Sequence, residues 1–140
     1  MRVLLTGIDG YIGSVLAPFL VERGHAVSGL DTGFYRDRTL FEHPGVVSAD
    51  NREDFRRIDD DDLAGFDALV HLAELSNDPI GQLNPEITFQ INHLGSVDLA
   101  SRCKRLGVER FIYTSSCSVY GAAGGETYRD ERSETDPQTA

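Results

Sequence analysis

The sequence predicts the α/β fold class, with a doubly wound parallel sheet that carries helices on both faces. Two observations support this prediction. Short apolar runs alternate with amphipathic helical patterns, and the runs are continuous, as in parallel strands that are buried on both faces. Such units connect with a right-handed crossover, and the predicted strand order is 3-2-1-4-5, as at the start of a doubly wound sheet. With 140 residues, 40% of them apolar, the chain is long enough to form one sizeable core.

Five strands are predicted along the chain. The first ends at a glycine-rich turn, and the fourth contains the continuous apolar run Ala68-Leu69-Val70. The predicted ranges are residues 3–6, 27–30, 46–49, 67–73 and 111–115. The sheet is expected to be truncated after the fifth strand, which leaves an exposed edge and an uncovered face.

Three helices are predicted between the strands. The first has apolar residues at helical spacing from Ile12 to Leu20, and it ends at Gly24. A short helix is predicted over residues 53–58. A longer helix begins at Asn84-Pro85-Glu86, which combines a capping side chain with a proline in the first turn, and it ends at Gly107.

The end of the chain differs from the rest. Residues 1–121 carry the alternating pattern and are predicted to form a single domain. This domain is expected to be incomplete, because its sheet is truncated after the fifth strand. Residues 122–140 are polar and rich in acidic side chains, and they offer almost nothing to a core. This segment is predicted to be a polar loop or a disordered tail.

Composition excludes several classes of function. The formal net charge of −10 argues against a nucleic-acid partner, which would require a basic surface. No apolar segment is long enough for a signal peptide or a membrane span, and the two cysteines suggest no disulfide framework, so a cytoplasmic protein is expected. The four histidines lack metal-ligand spacing, and the acidic run at residues 59–62 is interpreted as a solvated helix end or turn. No bound metal is expected.

The most specific motif is a glycine triplet between the first strand and the first helix. Gly7, Gly10 and Gly13 allow a tight turn, close approach of the backbone to a pyrophosphate, and close packing of the helix on the strand. The amides at the start of that helix favour an anion. The motif predicts a Rossmann-type dinucleotide-binding domain, although its first gap holds two residues instead of the common one.

Asp31 ends the second strand, where a carboxylate can accept hydrogen bonds from both ribose hydroxyls of NAD and repels a 2′-phosphate. No arginine follows it directly, so NAD is favoured over NADP as the cofactor. Arg36 and Arg38 are close enough in sequence to limit the strength of that preference.

Further motifs follow in order: Asp50-Asn51-Arg52, His71-Leu72-Ala73, Asn92 and the segment from Thr114 to Gly121, which reads T-S-S-C-S-V-Y-G. Together with the glycine triplet and Asp31, they resemble the extended short-chain dehydrogenases, the family of UDP-glucose 4-epimerase and the nucleotide-sugar dehydratases. The resemblance covers residues 1–121. It implies NAD as cofactor, a nucleotide-sugar substrate such as a UDP-sugar, contact with the remainder of the enzyme chain, and a homodimer for the full-length protein.

The resemblance also implies which residues contact the cofactor. Asp50 and Asn51 would contact the adenine, and residues 72–74 would pass beneath the pyrophosphate and ribose, with Glu74 in place of the usual small residue. From the residues alone, Asp50 could equally be a turn residue, and Asn92 could be a capping or solvated side chain. The complete predicted set is Gly7, Gly10, Tyr11, Ile12, Gly13, Asp31, Asp50, Asn51, Leu72, Ala73, Glu74, Asn92, Thr114 and Ser115.

Ser116 is the candidate catalytic residue. It aligns with the serine or threonine of the family's S-S-x-x-V-Y-G pattern, whose hydroxyl hydrogen-bonds the sugar oxygen that exchanges a proton. The family's 4,6-dehydratases usually carry an Asp-Glu pair at the next two positions, where this chain has Cys117 and Ser118. The resemblance therefore favours an epimerase, or a dehydrogenase or reductase, over a dehydratase.

The family's Tyr-x-x-x-Lys pair, expected on a helix after the fifth strand, does not occur in this sequence. Tyr128 has Arg132 at the lysine position, and the single lysine, Lys104, belongs to an earlier helix. Two interpretations remain open. The chain is part of a longer nucleotide-sugar epimerase, in which case it binds NAD weakly and is inactive alone, or it is a non-catalytic NAD-binding or NAD-sensing module.

Overall fold

The computed structural model describes residues 1–38, 49–76, 78–122 and 128–138. Its centre is one five-stranded sheet with the order β3-β2-β1-β4-β5, and every pair of neighbours is parallel. The predicted fold class and strand order are therefore confirmed. The strands are β1 (Arg2–Thr6), β2 (Ala26–Leu30), β3 (Ala49–Asn51), β4 (Ala68–His71) and β5 (Arg110–Tyr113).

The register of the strands brings their carboxyl ends to one edge. Thr6 is level with Leu30 on one side and with His71 on the other, and His71 is level with Tyr113. The loops that follow β1, β2, β4 and β5 therefore leave the sheet side by side. In open parallel sheets this edge is where ligands bind.

The helices lie between these strands. The first, α1, spans Tyr11–Glu22 with Pro18 buried inside it, and α2 spans Asp78–Leu83. Residues 85–105 are helical throughout: α3 (Pro85–Thr88) leads into a π-helical segment (Phe89–Gly95) and then α4 (Ser96–Arg105). The capping interaction predicted at Asn84 is present, because its Oδ1 accepts a hydrogen bond from the Ile87 amide at 3.1 Å.

The third strand and the second helix differ from their predictions, and the structure adds one short helix. Residues 46–48 of the third strand lie outside the described residues, and β3 itself continues to Asn51. The predicted helix over residues 53–58 is wrong, because this segment forms turns. The Asp54 carboxylate accepts a hydrogen bond from the Arg56 amide at 3.0 Å, a local bond that competes with helix formation. Helix α2 was not predicted, since its six residues are too few to form a periodic pattern.

Two apolar clusters cover the two faces of the sheet, as a doubly wound fold requires. Alternate residues of each strand contribute to opposite clusters; Leu4 and Leu5 lie in different ones. On the α1 face the buried residues are Val3, Leu5, Ile8, Ala17, Val27, Ala68 and Val70. On the α4 face they are Leu4, Leu30, Phe55, Ile58, Leu63, Leu69, Leu99 and Cys103.

The acidic run at residues 59–62 forms one 3-10 turn, Asp60–Asp62. Asp60 accepts hydrogen bonds from Arg102 at 2.9 Å and from Arg105 at 2.8 Å, which ties this turn to α4. The hydrogen bonds from the two arginines hold the pKa of Asp60 below its usual range. The run therefore has a structural role as a turn.

Beyond β5, residues 128–138 form turns and irregular structure, and all of them except Ser133 are exposed. A hydrogen bond of 2.9 Å from the Asp136 amide to the Val119 carbonyl ties this segment back to the turn after β5. Residues 123–127 and 139–140 of the predicted tail lie outside the described residues. The domain boundary at residue 121 remains a prediction.

Candidate functional site

The candidate site begins at the turn after β1. Gly7 has a φ of +72°, in the left-handed region, and its amide donates a hydrogen bond of 2.8 Å to the Leu30 carbonyl. A Cβ on Gly7 would lie 2.9 Å from the Ala73 nitrogen and 2.9 Å from the Leu72 carbonyl carbon. The turn therefore requires glycine both for its backbone conformation and for its contact with the loop after β4.

Gly10 and Gly13 join this turn to α1. The Gly10 amide donates to the Gly7 carbonyl at 3.1 Å, and Gly10 directly precedes the helix. A Cβ on Gly13 would lie 2.3 Å from the Gly7 oxygen and 2.6 Å from the Ile8 Cα, so the helix packs directly on the turn. Tyr11 and Ile12 are exposed in the first turn of α1, where backbone amides have no partners within the helix. This arrangement favours a phosphate group.

Asp31 lies half-buried just beyond β2, and both of its carboxylate oxygens accept backbone hydrogen bonds. The Gly33 amide donates to Oδ1 at 2.7 Å, and the Asp9 amide of the glycine-rich turn donates to Oδ2 at 3.1 Å. Burial raises the pKa of Asp31, against the opposing effect of the Gly33 hydrogen bond. The carboxylate is thus fixed beside the glycine-rich turn that precedes α1, and it has lone pairs that remain available for further donors.

Asn51, at the end of β3, extends the site on the far side of Asp31. Its carbonyl accepts a hydrogen bond from the Asp31 amide at 3.2 Å, and its Nδ2 donates to Asp62 Oδ1 at 3.4 Å. The side chain of Asp50 lies outside the described part of the structure. The adenine contacts expected of Asp50 and Asn51 remain predictions.

An ion pair that the sequence does not predict crosses this part of the site. The Asp9 carboxylate, between Gly7 and Gly10, pairs with the guanidinium of Arg52, which follows β3. The Asp9 side chain is 11% exposed and that of Arg52 is 38% exposed. Arg52 belongs to the Asp50-Asn51-Arg52 motif, but no pattern in the sequence relates it to a residue 43 positions earlier.

A second missed feature is a buried polar chain beneath the loop after β4. The Thr6 Oγ1 lies 2.7 Å from His71 Nδ1, and His71 Nε2 lies 2.9 Å from Ser96 Oγ. Thr6 Oγ1 also accepts hydrogen bonds from the Leu72 and Ala73 amides, at 3.2 and 3.3 Å. With its acceptor sites filled, the Thr6 hydroxyl donates to Nδ1, which assigns the proton of neutral His71 to Nε2.

His71 is fully buried, and burial lowers its pKa to about 4. The ring also contacts Phe55 edge-on, with 4.7 Å between ring centroids. His71 is therefore a neutral structural residue that joins β1, β4 and α4. Its Nδ1 hydrogen-bonds the Thr6 hydroxyl, which in turn accepts from the amides of Leu72 and Ala73, the residues that pack against Gly7.

Glu74 continues the same chain toward the surface. Its Oε1 accepts a hydrogen bond from Ser96 Oγ at 3.4 Å, and the carboxylate also hydrogen-bonds the Tyr113 hydroxyl. Burial raises the pKa of Glu74. Burial and the neighbouring Glu74 carboxylate also raise the pKa of Tyr113, to about 12. The larger side chain at position 74 is thus accommodated by two partners on the α4 side of the sheet.

Asn92, in the π-helical segment, holds the next part of the loop. Its Nδ2 donates to the Leu75 carbonyl and its Oδ1 accepts from the Leu75 amide, both at 2.9 Å. The side chain thus pairs with the backbone as a neighbouring strand would. The interpretation of Asn92 as a bridge near the strand ends agrees with this geometry, and its contact with a cofactor remains a prediction.

The residues after β5 complete the edge. Thr114 Oγ1 donates to the His71 carbonyl at 2.9 Å, which attaches this segment to β4. Ser115 is exposed. Ser116 is also exposed; its Oγ accepts a hydrogen bond from the Ser118 amide at 3.1 Å and donates to Ser118 Oγ at 3.0 Å. The Ser116 hydroxyl is therefore oriented by its own turn and accessible from solvent.

The structure brings the predicted residues together along one edge, with the glycine-rich turn and Asp31 on one side and Ser116 on the other. Within the ranges that the structure describes, no three histidine, cysteine or acidic side chains lie close enough together to hold a metal ion. No helix in the same ranges is long and apolar enough to cross a membrane.

Comparison with known proteins places this geometry in context. Residues 3–140 match the model of the NAD dependent epimerase/dehydratase family. The chain is 33% identical over 132 residues to UDP-glucose 4-epimerase from Mycolicibacterium smegmatis, a match that covers 86% of this chain and 41% of that enzyme. The chain therefore spans about two fifths of the length of this curated relative.

Solved structures give the same result. The UDP-N-acetylglucosamine 4-epimerase from Methanobrevibacter ruminantium, in complex with UDP-N-acetylmuramic acid, superposes with a TM-score of 0.85 at 26% identity, covering 99% of this chain and 44% of that one. The UDP-glucose 4-epimerase from Thermus thermophilus, in complex with NAD, gives a TM-score of 0.82 at 27% identity, covering 99% of this chain and 45% of that one.

Proposed function

Because the chain belongs to the NAD dependent epimerase/dehydratase family, whose members are NAD-dependent enzymes, we propose that it is the NAD-binding part of a nucleotide-sugar epimerase. The observation that carries this proposal is one edge of the sheet that combines the glycine-rich turn against α1, the fixed carboxylate of Asp31 and the oriented hydroxyl of Ser116. When bound, NAD would supply transient hydride transfer at a sugar carbon.

The residues present fit NAD on structural grounds. A side chain at position 7 or 13 would overlap backbone atoms of the loop after β4 or of the turn itself, so glycine at both positions keeps the turn packed against the start of α1. The turn and the first amides of α1, at Tyr11 and Ile12, would hold the pyrophosphate. Asp31 would accept the ribose hydroxyls, and Asn51 with Asp50 would lie beside the adenine.

The other end of the cofactor would lie over the loops after β4 and β5. Leu72, Ala73 and Glu74 form the floor of this region, which Thr6 and His71 hold in place. Asn92, Thr114 and Ser115 flank it. We assign them the cofactor contacts by their place in the fold.

Ser116 would bind the sugar oxygen whose proton moves. Its Oγ already accepts a hydrogen bond from the Ser118 amide, so the hydroxyl is oriented before a substrate binds. It would assist proton transfer as a hydrogen-bonding group and would not act as a nucleophile, because no general base lies against it in the described part of the chain. By likeness to the structural relatives, we propose a UDP-sugar as the substrate.

Binding of NAD can be tested directly through Asp31. The protein is expected to bind NADH, and Asp31→Ala is expected to weaken that binding about tenfold, because charge-assisted hydrogen bonds to the ribose are lost. Fluorescence titration with NADH measures both affinities. Asp37→Ala, which removes an exposed acid of the same loop, is the matched control and should bind NADH as the unmodified protein does. Equal affinities of the Asp31 and Asp37 variants would contradict the assignment.

Catalysis by Ser116 can be tested in the product of the gene's whole reading frame. Ser116→Ala is expected to lower kcat about 100-fold or more with a smaller change in KM, since the hydroxyl acts on a moving proton. Interconversion of UDP-sugars, followed by chromatography, is the assay, and Cys117→Ala is the control on the adjacent exposed side chain. An unchanged kcat in the Ser116 variant would remove it from the mechanism.

Two alternatives make different predictions in the same assay. A dehydrogenase of this family would release NADH, and a reductase would consume NADH, in proportion to turnover, whereas an epimerase returns the hydride in each cycle. The lack of carboxylates at Cys117 and Ser118 weighs against a dehydratase. A non-catalytic NAD-binding module would bind NADH with no turnover of any UDP-sugar by the whole gene product.

A further inference from the structure

The ion pair between Asp9 and Arg52 occupies an unusual place for a carboxylate. Asp9 lies inside the glycine-rich turn, where the proposed cofactor would bring the two negative charges of its pyrophosphate. The carboxylate is 11% exposed and faces Arg52, which neutralises it. A nearly buried acid in this position is tolerated only when a cation accompanies it.

The same pair lies against the residues around Asp31. The Asp9 amide donates to Asp31 Oδ2 at 3.1 Å, and the Gly33 amide donates to Oδ1 at 2.7 Å. A Cβ on Gly33 would lie 3.2 Å from Arg52 Nη1, so the guanidinium is packed on the residue that binds the Asp31 carboxylate. Arg52 is therefore next to the place where the proposed site would hold the 2′-position of the adenosine ribose.

A guanidinium at that place would ordinarily favour a 2′-phosphate, because its planar set of donors matches phosphate oxygens. Here the Asp9 carboxylate already binds the Arg52 guanidinium. Asp9 and Arg52 together are neutral, and Asp31 contributes one further negative charge. Arg36 also borders Gly33, but its side chain is 64% exposed and pairs with Asp37 at 3.7 Å.

We propose that Asp9 is a cofactor-specificity residue: by binding Arg52 it withholds the guanidinium from a 2′-phosphate, and so the preference for NAD over NADP depends on Asp9 as well as Asp31. This inference rests on the proposed NAD site. It gives a reason for the acidic side chain of Asp9 in the glycine-rich turn, where the fold itself requires no acid.

The test is a double-mutant cycle read as the ratio of two affinities. NADH and NADPH are titrated into the unmodified protein and into Asp9→Asn, Arg52→Gln and the Asp9→Asn/Arg52→Gln double variant. Asp9→Asn is expected to improve NADPH binding relative to NADH about tenfold, because it frees the guanidinium. Arg52→Gln alone should not improve NADPH binding, and the double variant should lose the gain. Asp9→Ser serves as a second variant, and thermal unfolding checks that each protein is folded.

The outcomes separate this inference from the function on which it rests. If the unmodified protein binds NADH and the ratio is the same in Asp9→Asn and Asp9→Ser as in the unmodified protein, this inference fails and the NAD site stands. A gain for NADPH that persists in the double variant also overturns it, because the gain would not come from Arg52. If no variant binds either dinucleotide, the proposed function fails and this inference fails with it.

Discussion

Acidification is expected to destabilise the protein through His71 by about 2 to 3 kcal/mol between pH 7.5 and pH 4.5. In the folded protein, burial lowers the pKa of His71 to about 4, whereas the ordinary value is 6.5. Between these two values the unfolded chain binds more protons than the folded one, so the free energy of unfolding decreases as the pH falls. Above about pH 7 the contribution of neutral His71 is fully present.

The measurement is urea unfolding at several pH values, with His71→Gln as the comparison. Glutamine keeps a hydrogen-bonding amide and does not titrate, so the difference in stability between the two proteins should shrink by about 2 to 3 kcal/mol on acidification. His93→Gln is the matched control, because His93 is exposed, and its pH dependence should parallel that of the unmodified protein. Parallel curves for the His71 variant and the unmodified protein would show that His71 is not held neutral.

The importance of His71 could not have been predicted from the sequence. The triplet His71-Leu72-Ala73 contributed to the family resemblance, but its partners are residues 65 positions before and 25 positions after it. Only the parallel register of β1 with β4, together with the packing of α4, brings Thr6 and Ser96 to the two ring nitrogens. Hydrogen bonds of this kind leave no periodic pattern in the chain.

The sheet could be predicted because its signals are local. Continuous apolar runs identify buried strands, and the order 3-2-1-4-5 is that of the doubly wound sheet that their alternation with helices predicts. The segment at residues 53–58 shows the limit of this approach. Its two core residues, Phe55 and Ile58, are three apart as in a helix, yet Asp54 bonds to Arg56 and turns the chain. The apolar spacing of this segment suits a helix as well as the observed turn, and the hydrogen bond from the Arg56 amide to the Asp54 side chain favours the turn.

The same limit applies to the candidate site. Asp31 and the glycine triplet were predicted because a strand-end position and a fixed spacing are visible in the sequence. Asp9 was not, although it lies within the triplet, because its partner Arg52 approaches from β3. Glycines are detectable where the backbone itself is constrained, whereas charged pairs depend on which loops meet in space.

The second large effect is expected at Gly13, where the backbone of α1 packs directly on the glycine-rich turn. Gly13→Ala is expected to destabilise the protein by about 3 kcal/mol and to abolish measurable NADH binding. The added Cβ would lie 2.3 Å from the Gly7 oxygen and 2.6 Å from both the Ile8 Cα and the Ile8 oxygen. All three are backbone atoms, so no side-chain rotation can relieve the overlap. The start of α1 must move away from the turn, which separates its amides from the place proposed for the pyrophosphate.

Gly10→Ala is the matched control for stability, because its Cβ would meet just one backbone atom, the Gly7 oxygen, at 3.1 Å. It should cost less than about 1 kcal/mol in urea unfolding. NADH titration of the Gly13 variant, under conditions where it remains folded, then separates a loss of binding from a loss of fold. If Gly13→Ala were as stable as Gly10→Ala and bound NADH normally, α1 could not pack on the turn as closely as the geometry requires. The phosphate site would then have to be built from other amides.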